Sequence, residues 1–373
     1  MTSDDMNAII QQNRLLQEQN DLLREQNELL RQQSATSSEG DERDVFVEDI
    51  DHDEMRAGFL VTSHRKKLWN AQIKLINEFA RICKKHNLRW FAYGGTLLGA
   101  ARHKGYIPWD DDIDLVMLRP DYEKFKSVVE EELKNHPHYK TWYWYNYRME
   151  TDAPSEQTDL SLPLISKEQA DKYPGWAPLH PLMRILDDRT TFMMYDDRKD
   201  VFFNGWIDVL CLDPCPPFFD DSAAKMNFII ARELLAAAVF PEQVKAALES
   251  NARFLIPRDE IRLLLSLPYK KRARNFEIFV LDNFSRTEYL GEIRHHCITD
   301  LTLSYRFDNF DDTVWLPFEK IELPVPVGYD NVLKDIYGDW HKLVVTHTHS
   351  NEWSVDIPFE EYRKTSVRFV QPE

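Results

Sequence analysis

Leucine pairs recur every seven residues near the start of the chain, in QNRLLQE, QNDLLRE and QNELLRQ, a spacing that lays one apolar seam along a helix. With Leu16, Leu23 and Leu30 at d and Ile9 before them, Met6, Asn13, Asn20 and Asn27 fall at a. Polar a positions select pairing and register at a cost in stability, so residues 1–33 are expected to form a coiled-coil helix. Its segment 6–33 would pair with a second copy or with a protein partner. Residues 34–62 break that pattern with Ser, Gly and a dense acidic run, and are expected to be a flexible linker.

Helical spacing resumes at Ser63, where Leu68, Ile76, Phe79 and Cys83 mark one face and Asn87 a stop. LRWFAY at 88–93 reads as a strand, Gly94-Gly95 as a tight turn and TLLGAARH as a short helix. Ile113–Leu118 predicts a second strand, followed by a helix that starts at Pro120. Strands are expected at 139–149 and 206–212, and helices over 222–290, with breaks at Pro257 and Pro268. This order predicts an α+β domain over 63–373, a mixed sheet flanked by helices with a helical second half.

The chain has 373 residues, 43% of them apolar, which is ample for a buried core. Its net charge of −17 argues against a nucleic-acid partner, because backbone binders carry excess Lys and Arg. Residues 1–56 hold fifteen Asp/Glu against five Arg and account for −10 of it. The beginning carries no basic segment ahead of an apolar one, and no charge-free apolar run is long enough to span a bilayer. Four cysteines are too few to suggest a disulfide framework. A cytoplasmic location is expected, with membrane-surface association left open.

The chemistry concentrates in FAYGGTLLGAARHKGYIPWDDDIDL, residues 91–115. In extended chain, Asp110, Asp112 and Asp114 project to one face and Asp111 to the other. Three converging carboxylates repel, and a divalent cation relieves that repulsion; their hard oxygens suit Mg²⁺ or Mn²⁺. Upstream lie a glycine pair whose backbone N–H groups can face a phosphate, and the basic cluster Arg102, His103, Lys104. Glycine turn, basic cluster and Asp-x-Asp-x-Asp in this order point to a metal-dependent reaction on a phosphate ester or anhydride.

GGTLLGAARHKGYIPWDDDIDL, continuing into MLRPDYEKF, resembles the signature of the LicD family, relatives of fukutin-related proteins within the polymerase-β-like nucleotidyltransferase superfamily. GWIDVLCLDPCP at 205–216 and ELPVPVGYDNVLKDIYGDW at 322–340 resemble its later blocks. The resemblance implies a nucleotidyltransferase-like mixed sheet and transfer of a phosphocholine-like group from a CDP-activated donor such as CDP-choline. The acceptor it implies is a glycan or glycolipid hydroxyl, in teichoic acid or lipopolysaccharide. It further implies that Asp110, Asp112, Asp114 and Asp208 are the metal and catalytic carboxylates. Gly94, Gly95 and Thr96 would face the donor phosphates, with Arg102 a further phosphate contact. Proton acceptance by Asp110 or by Asp208 stays open at this level.

Other residues carry weaker signals. Cys211, Cys215, His295, His296 and Cys297 fit no common zinc spacing, so buried thiols are expected. His347 and His349 read as surface residues, and Trp142 to Tyr147 as a packed strand. Arg184 and Arg189 are candidate phosphate contacts; Tyr337, Gly338 and Asp339 have no evident role beyond a turn. Two rival functions share these residues: transfer of a nucleoside monophosphate to a small molecule or protein, and a non-catalytic coiled-coil scaffold.

Overall fold

The computed structural model describes residues 45–143, 148–149, 164–165, 183–193, 202–215, 222–250, 252–284, 288–293, 297, 303–344 and 352–354. The expected coiled coil at 1–33 lies outside them, as do Trp144, Tyr145, Tyr147, His295, His296, His347 and His349. The chain divides after Val45, and every element below belongs to the unit that starts at Phe46.

That unit opens with a hairpin, β1 (Glu54–Arg56) against β2 (Phe59–Val61), inside the stretch expected to be a linker. Acidic side chains that read as solvated charge instead meet buried bases. Lys66, fully buried, pairs with Glu54 at 2.8 Å, and Arg56 pairs with Glu319 at 2.6 Å. Val47 and Val61 reach zero exposure in the core. Helix α1 (Ser63–Lys85) follows, capped by the Thr62 hydroxyl, which accepts from the Arg65 N–H; its buried stripe includes Leu68, Trp69, Ile73, Ile76 and Phe79.

Strand β3 (Phe91–Ala92) leads into α2 (Gly94–Leu98), so the glycine pair forms a first helical turn and not a separate tight turn. One wide π turn, Gly99–His103, extends α2 and ends at Lys104 in left-handed conformation. Next come β4 (Asp114–Leu118), α3 (Arg119–Leu133) with Pro120 in its first turn, and β5 (Tyr139–Tyr143). A short parallel pair, β6 (Arg148–Met149) with β7 (Leu164–Ile165), stands apart from the main sheet.

The main sheet is built on two long strands, β8 (Met183–Met193) and β9 (Phe202–Pro214). β9 runs parallel to β4 and antiparallel to β8; β3 pairs antiparallel with β4, and β5 antiparallel with β8. Four helices succeed it: α4 (Ser222–Val239), α5 (Pro241–Glu249), α6 (Arg258–Leu265) and α7 (Tyr269–Asn283). Pro241 and Pro257 sit at helix starts, where a missing N–H does no harm.

The second half is not helical throughout. β10 (Tyr289–Gly291) and β11 (Tyr305–Arg306) extend the sheet from the end of β9. A hairpin, β12 (Thr313–Phe318) with β13 (Ile321–Pro326), precedes α8 (Tyr329–Tyr337). β14 (Glu352–Ser354) pairs with β8. The fold is thus α+β with a mixed sheet flanked by helices. One apolar core lies between α1, α3 and the sheet, and a second unites α4 to α7. Among the described residues no helix is long and apolar enough to cross a membrane.

Candidate active site

The acidic run is held from below by one face of α1. Arg65 Nη1 and Trp69 Nε1 donate to the Asp110 carbonyl at 2.9 and 3.0 Å, and Gln72 Nε2 donates to the Asp111 carbonyl at 2.8 Å. Spacings of four and three residues put those donors on one helical stripe. Asp111 is buried at 2% exposure, while Asp110, Asp112 and Asp114 all line one cavity. Alternation along an extended backbone produces that division.

Strand β4 is pinned on both sides where it begins. The Thr96 hydroxyl accepts the Asp114 N–H at 2.9 Å, and the Tyr93 N–H donates to the Asp114 carbonyl at 3.0 Å. The glycines are required by the approach of the acids: a Cβ on Gly95 would stand 2.7 Å from Asp110 Oδ2. One on Gly94, whose φ is +51°, would stand 3.0 Å from Asp114 Oδ2. Gly95 lines the cavity, whereas the Thr96 hydroxyl is engaged in positioning Asp114.

The cavity measures about 470 Å³, within the usual range of small-molecule sites. Burial, and then the charges of Asp110 and Asp114, push the Asp112 carboxyl well above the usual carboxylate range. Such a cluster is relieved by a cation, and the all-oxygen donor set suits Mg²⁺ or Mn²⁺. Among the described residues no three His, Cys, Asp or Glu side chains already gather about one point as metal ligands. Mg²⁺ asks for less, since one or two carboxylates commonly hold it together with water and substrate phosphates.

Arg102 also lines the cavity, and it is firmly held. Its Nη1 donates to the carbonyls of Trp340 and Lys342 at 3.0 and 3.1 Å, and its Nε to His103 Nε2 at 3.0 Å. Burial and the Arg102 charge lower the His103 imidazole to about 4. The remaining polar lining comes from a segment for which the sequence suggested only a turn: Tyr337, Asp339 and Lys342, with Trp340 beside them. Burial and the charges of Asp114, Asp110 and Asp112 raise the Tyr337 phenol, so it stays protonated as a hydrogen-bond donor. Spacing could not reveal this wall, because it lies more than two hundred residues from the acids it faces.

Asp208 comes from the neighbouring strand β9. It stands directly opposite Asp114 in the β4–β9 register, yet it does not line the cavity. Its carboxylate accepts from Arg184 Nε at 2.6 Å. The Arg184 guanidinium in turn lies 4.2 Å from the Trp206 ring centroid and 5.4 Å from that of Trp142. Arg184 thereby neutralises Asp208 from the neighbouring strand β8, a pairing invisible in sequence.

Arg189 is turned onto the Asp187 carboxylate, at 2.8 and 2.9 Å, and the Tyr139 hydroxyl. Tyr143 donates from its buried hydroxyl to the Lys126 carbonyl, as a packed strand residue does. Cys211, Cys215 and Cys297 are buried and stand outside any disulfide among the described residues, and burial pushes Cys215 up to about 12.

Comparison with known proteins gives this geometry a context. Residues 87–161 match the family described as LicD/FKTN/FKRP, nucleotidyltransferase domain, a stretch that contains the glycine pair and all the cavity aspartates of the acidic run. The lipopolysaccharide cholinephosphotransferase LicD of Haemophilus influenzae is 24% identical over 282 residues, covering 73% of this chain and 89% of that protein. Uncharacterised proteins of Rickettsia typhi and Rickettsia prowazekii are 36% and 40% identical over 56 residues. That is 15% of this chain, and 18% and 21% of theirs.

Proposed function

Because the chain belongs to the LicD family, we propose that it is a metal-dependent phosphotransferase that moves a phosphocholine-like group from a CDP-activated donor to a glycan hydroxyl. The observation that carries the reading is the arrival of Asp110, Asp112 and Asp114 in one cavity that also holds Arg102 and Lys342. Acids to bind a cation and cations to bind phosphate are the two parts that phosphoryl transfer requires. The relative of known activity, a lipopolysaccharide cholinephosphotransferase, supports choline phosphate as the group transferred and a lipopolysaccharide sugar as the acceptor.

Asp112 and Asp114 are the residues that would hold Mg²⁺ or Mn²⁺. Bound there, the ion would neutralise phosphate charge and stabilise the leaving nucleotide. Gly95 keeps space beside Asp110, and Thr96 fixes the backbone at Asp114, so the acids are placed before substrate arrives. With the Asp208 carboxylate taken by Arg184, Asp110 is the residue we assign to accept the proton of the attacking hydroxyl. Attack in line on the distal phosphorus breaks its bond to the bridging oxygen and releases CMP.

Product analysis tests the reaction. Purified protein is incubated with choline-labelled CDP-choline, Mg²⁺ and deacylated lipopolysaccharide. The expected products are CMP and labelled glycan, absent in Asp112→Asn. The family description names a nucleotidyltransferase domain. Release of pyrophosphate from CTP, with no labelled glycan, would replace this reading with nucleotidyl transfer.

A further inference from the structure

We propose that Lys342 is a donor-phosphate-binding residue and that the segment Tyr337–Lys342 is a working wall of the cavity. This rests on the reading of that cavity as the donor site. The segment leaves α8 at Gly338, whose φ of +67° turns the chain in a way other residues adopt only with strain. Two anchors then fix its course. Trp340 Nε1 donates to Asp330 Oδ1 at 3.1 Å, and Arg102 Nη1 grips the carbonyls of Trp340 and Lys342. The backbone that carries Lys342 is thus held by a residue of the helical turn beside the acids.

Lys342 is an exposed residue of the cavity lining, and its Nζ makes no hydrogen bond or ion pair among the described residues. Arg102, by contrast, already directs Nη1 and Nε to two carbonyls and to His103. The cavity holds four carboxylates, those of Asp110, Asp112, Asp114 and Asp339, against these two cations. A diphosphate brings further negative charge that one divalent ion does not offset, so each cation of the lining reduces the excess. An ammonium on a flexible stem is suited to a phosphate oxygen as a point charge, while Arg102 secures the wall on which it stands.

The test is calorimetric titration of Mn²⁺ alone, Mn²⁺ with pyrophosphate, and Mn²⁺ with CDP-choline into wild type, Lys342→Met and Lys342→Arg. Lys342→Met is expected to bind both phosphate ligands about 10–100-fold more weakly, the worth of a charge-assisted contact. Lys342→Arg should recover most of that loss, with Mn²⁺ affinity and melting temperature equal in all three proteins. Unchanged pyrophosphate binding in Lys342→Met, or a parallel fall in Mn²⁺ affinity, would overturn the assignment. If wild type binds pyrophosphate through Lys342 but ignores CDP-choline, the phosphate assignment stands and the donor reading fails. Wild type that binds neither ligand would overturn both.

Discussion

Replacing Arg119 by Met should destabilise the protein severely, for a reason set by the strand that carries the acids. Arg119 follows β4 directly and is buried at 7% exposure. Its guanidinium grips Asp213 at the end of β9 with two bonds, of 2.6 and 2.9 Å. Nη1 also reaches Glu123 at 2.8 Å and Glu277 of α7 at 3.3 Å. The side chains of Asp213 and Glu277 are each only 2% exposed. Methionine fills the space and removes the charge, which leaves the buried Asp213 carboxylate without its guanidinium; breaking a buried pair in this way costs about 3–5 kcal/mol. Against a total stability of about 5–15 kcal/mol the loss is large. At ~2–4 °C per kcal/mol, the melting temperature should fall by about 6–20 °C. Urea denaturation followed by tryptophan fluorescence and by circular dichroism measures it. The double variant Arg119→Met, Asp213→Asn should recover much of the loss, because position 213 then carries no buried charge to leave alone. If Arg119→Met unfolds within about 1 kcal/mol of wild type, the cluster does not bind β4, β9 and α7 together as argued.

Further substitutions separate the parts of the site. Gly95→Ala places a Cβ against Asp110 Oδ2, and should cut turnover sharply while circular dichroism stays native. Thr96→Val leaves the Asp114 N–H without its buried acceptor, at a cost of about 1–3 kcal/mol in urea denaturation, with a fall in kcat. Asp208→Asn should still bind Mn²⁺ and CDP-choline, since its carboxylate pairs with Arg184, whereas Asp114→Asn should bind neither; equal loss in both variants would return Asp208 to the metal site. The His103 imidazole titrates at about 4 in the fold against an ordinary 6.5, so the unfolded chain binds the proton more readily. Its contribution to stability is therefore complete above pH 6.5 and lost as pH falls towards 4. His103→Asn should flatten the melting curve against pH within that window, and an unchanged slope would contradict the burial of this ring.

How far the sequence discloses this molecule depends on whether a contact is local. Asp110, Asp112 and Asp114 share a cavity because backbone alternation alone sorts them from Asp111, and α1 follows from the spacing of its apolar residues. The glycine pair was legible as special, though its reason, carboxylates within about 3 Å of each missing Cβ, emerges only from the packing. Composition misled at 46–62, where acids suggested a solvated linker: Glu54 is instead a partner of buried Lys66, and an exposed charge looks no different in sequence from a paired one. The resemblance implies Asp208 as a metal carboxylate, and the β4–β9 register sets it opposite Asp114. Arg184 takes its carboxylate through a register between β8 and β9 that no periodicity encodes. Tyr337, Asp339 and Lys342 escaped for the same reason, being brought to the acids by tertiary packing around Arg102.

The account stands most directly on one titration, of CDP-choline with Mn²⁺ into wild type and into the Asp112→Asn, Asp114→Asn double variant. It predicts nucleotide binding in wild type that vanishes when EDTA removes the metal, and no binding in a double variant that melts as wild type does or higher, since repulsion is relieved. Equal binding by both proteins, with or without metal, would contradict it.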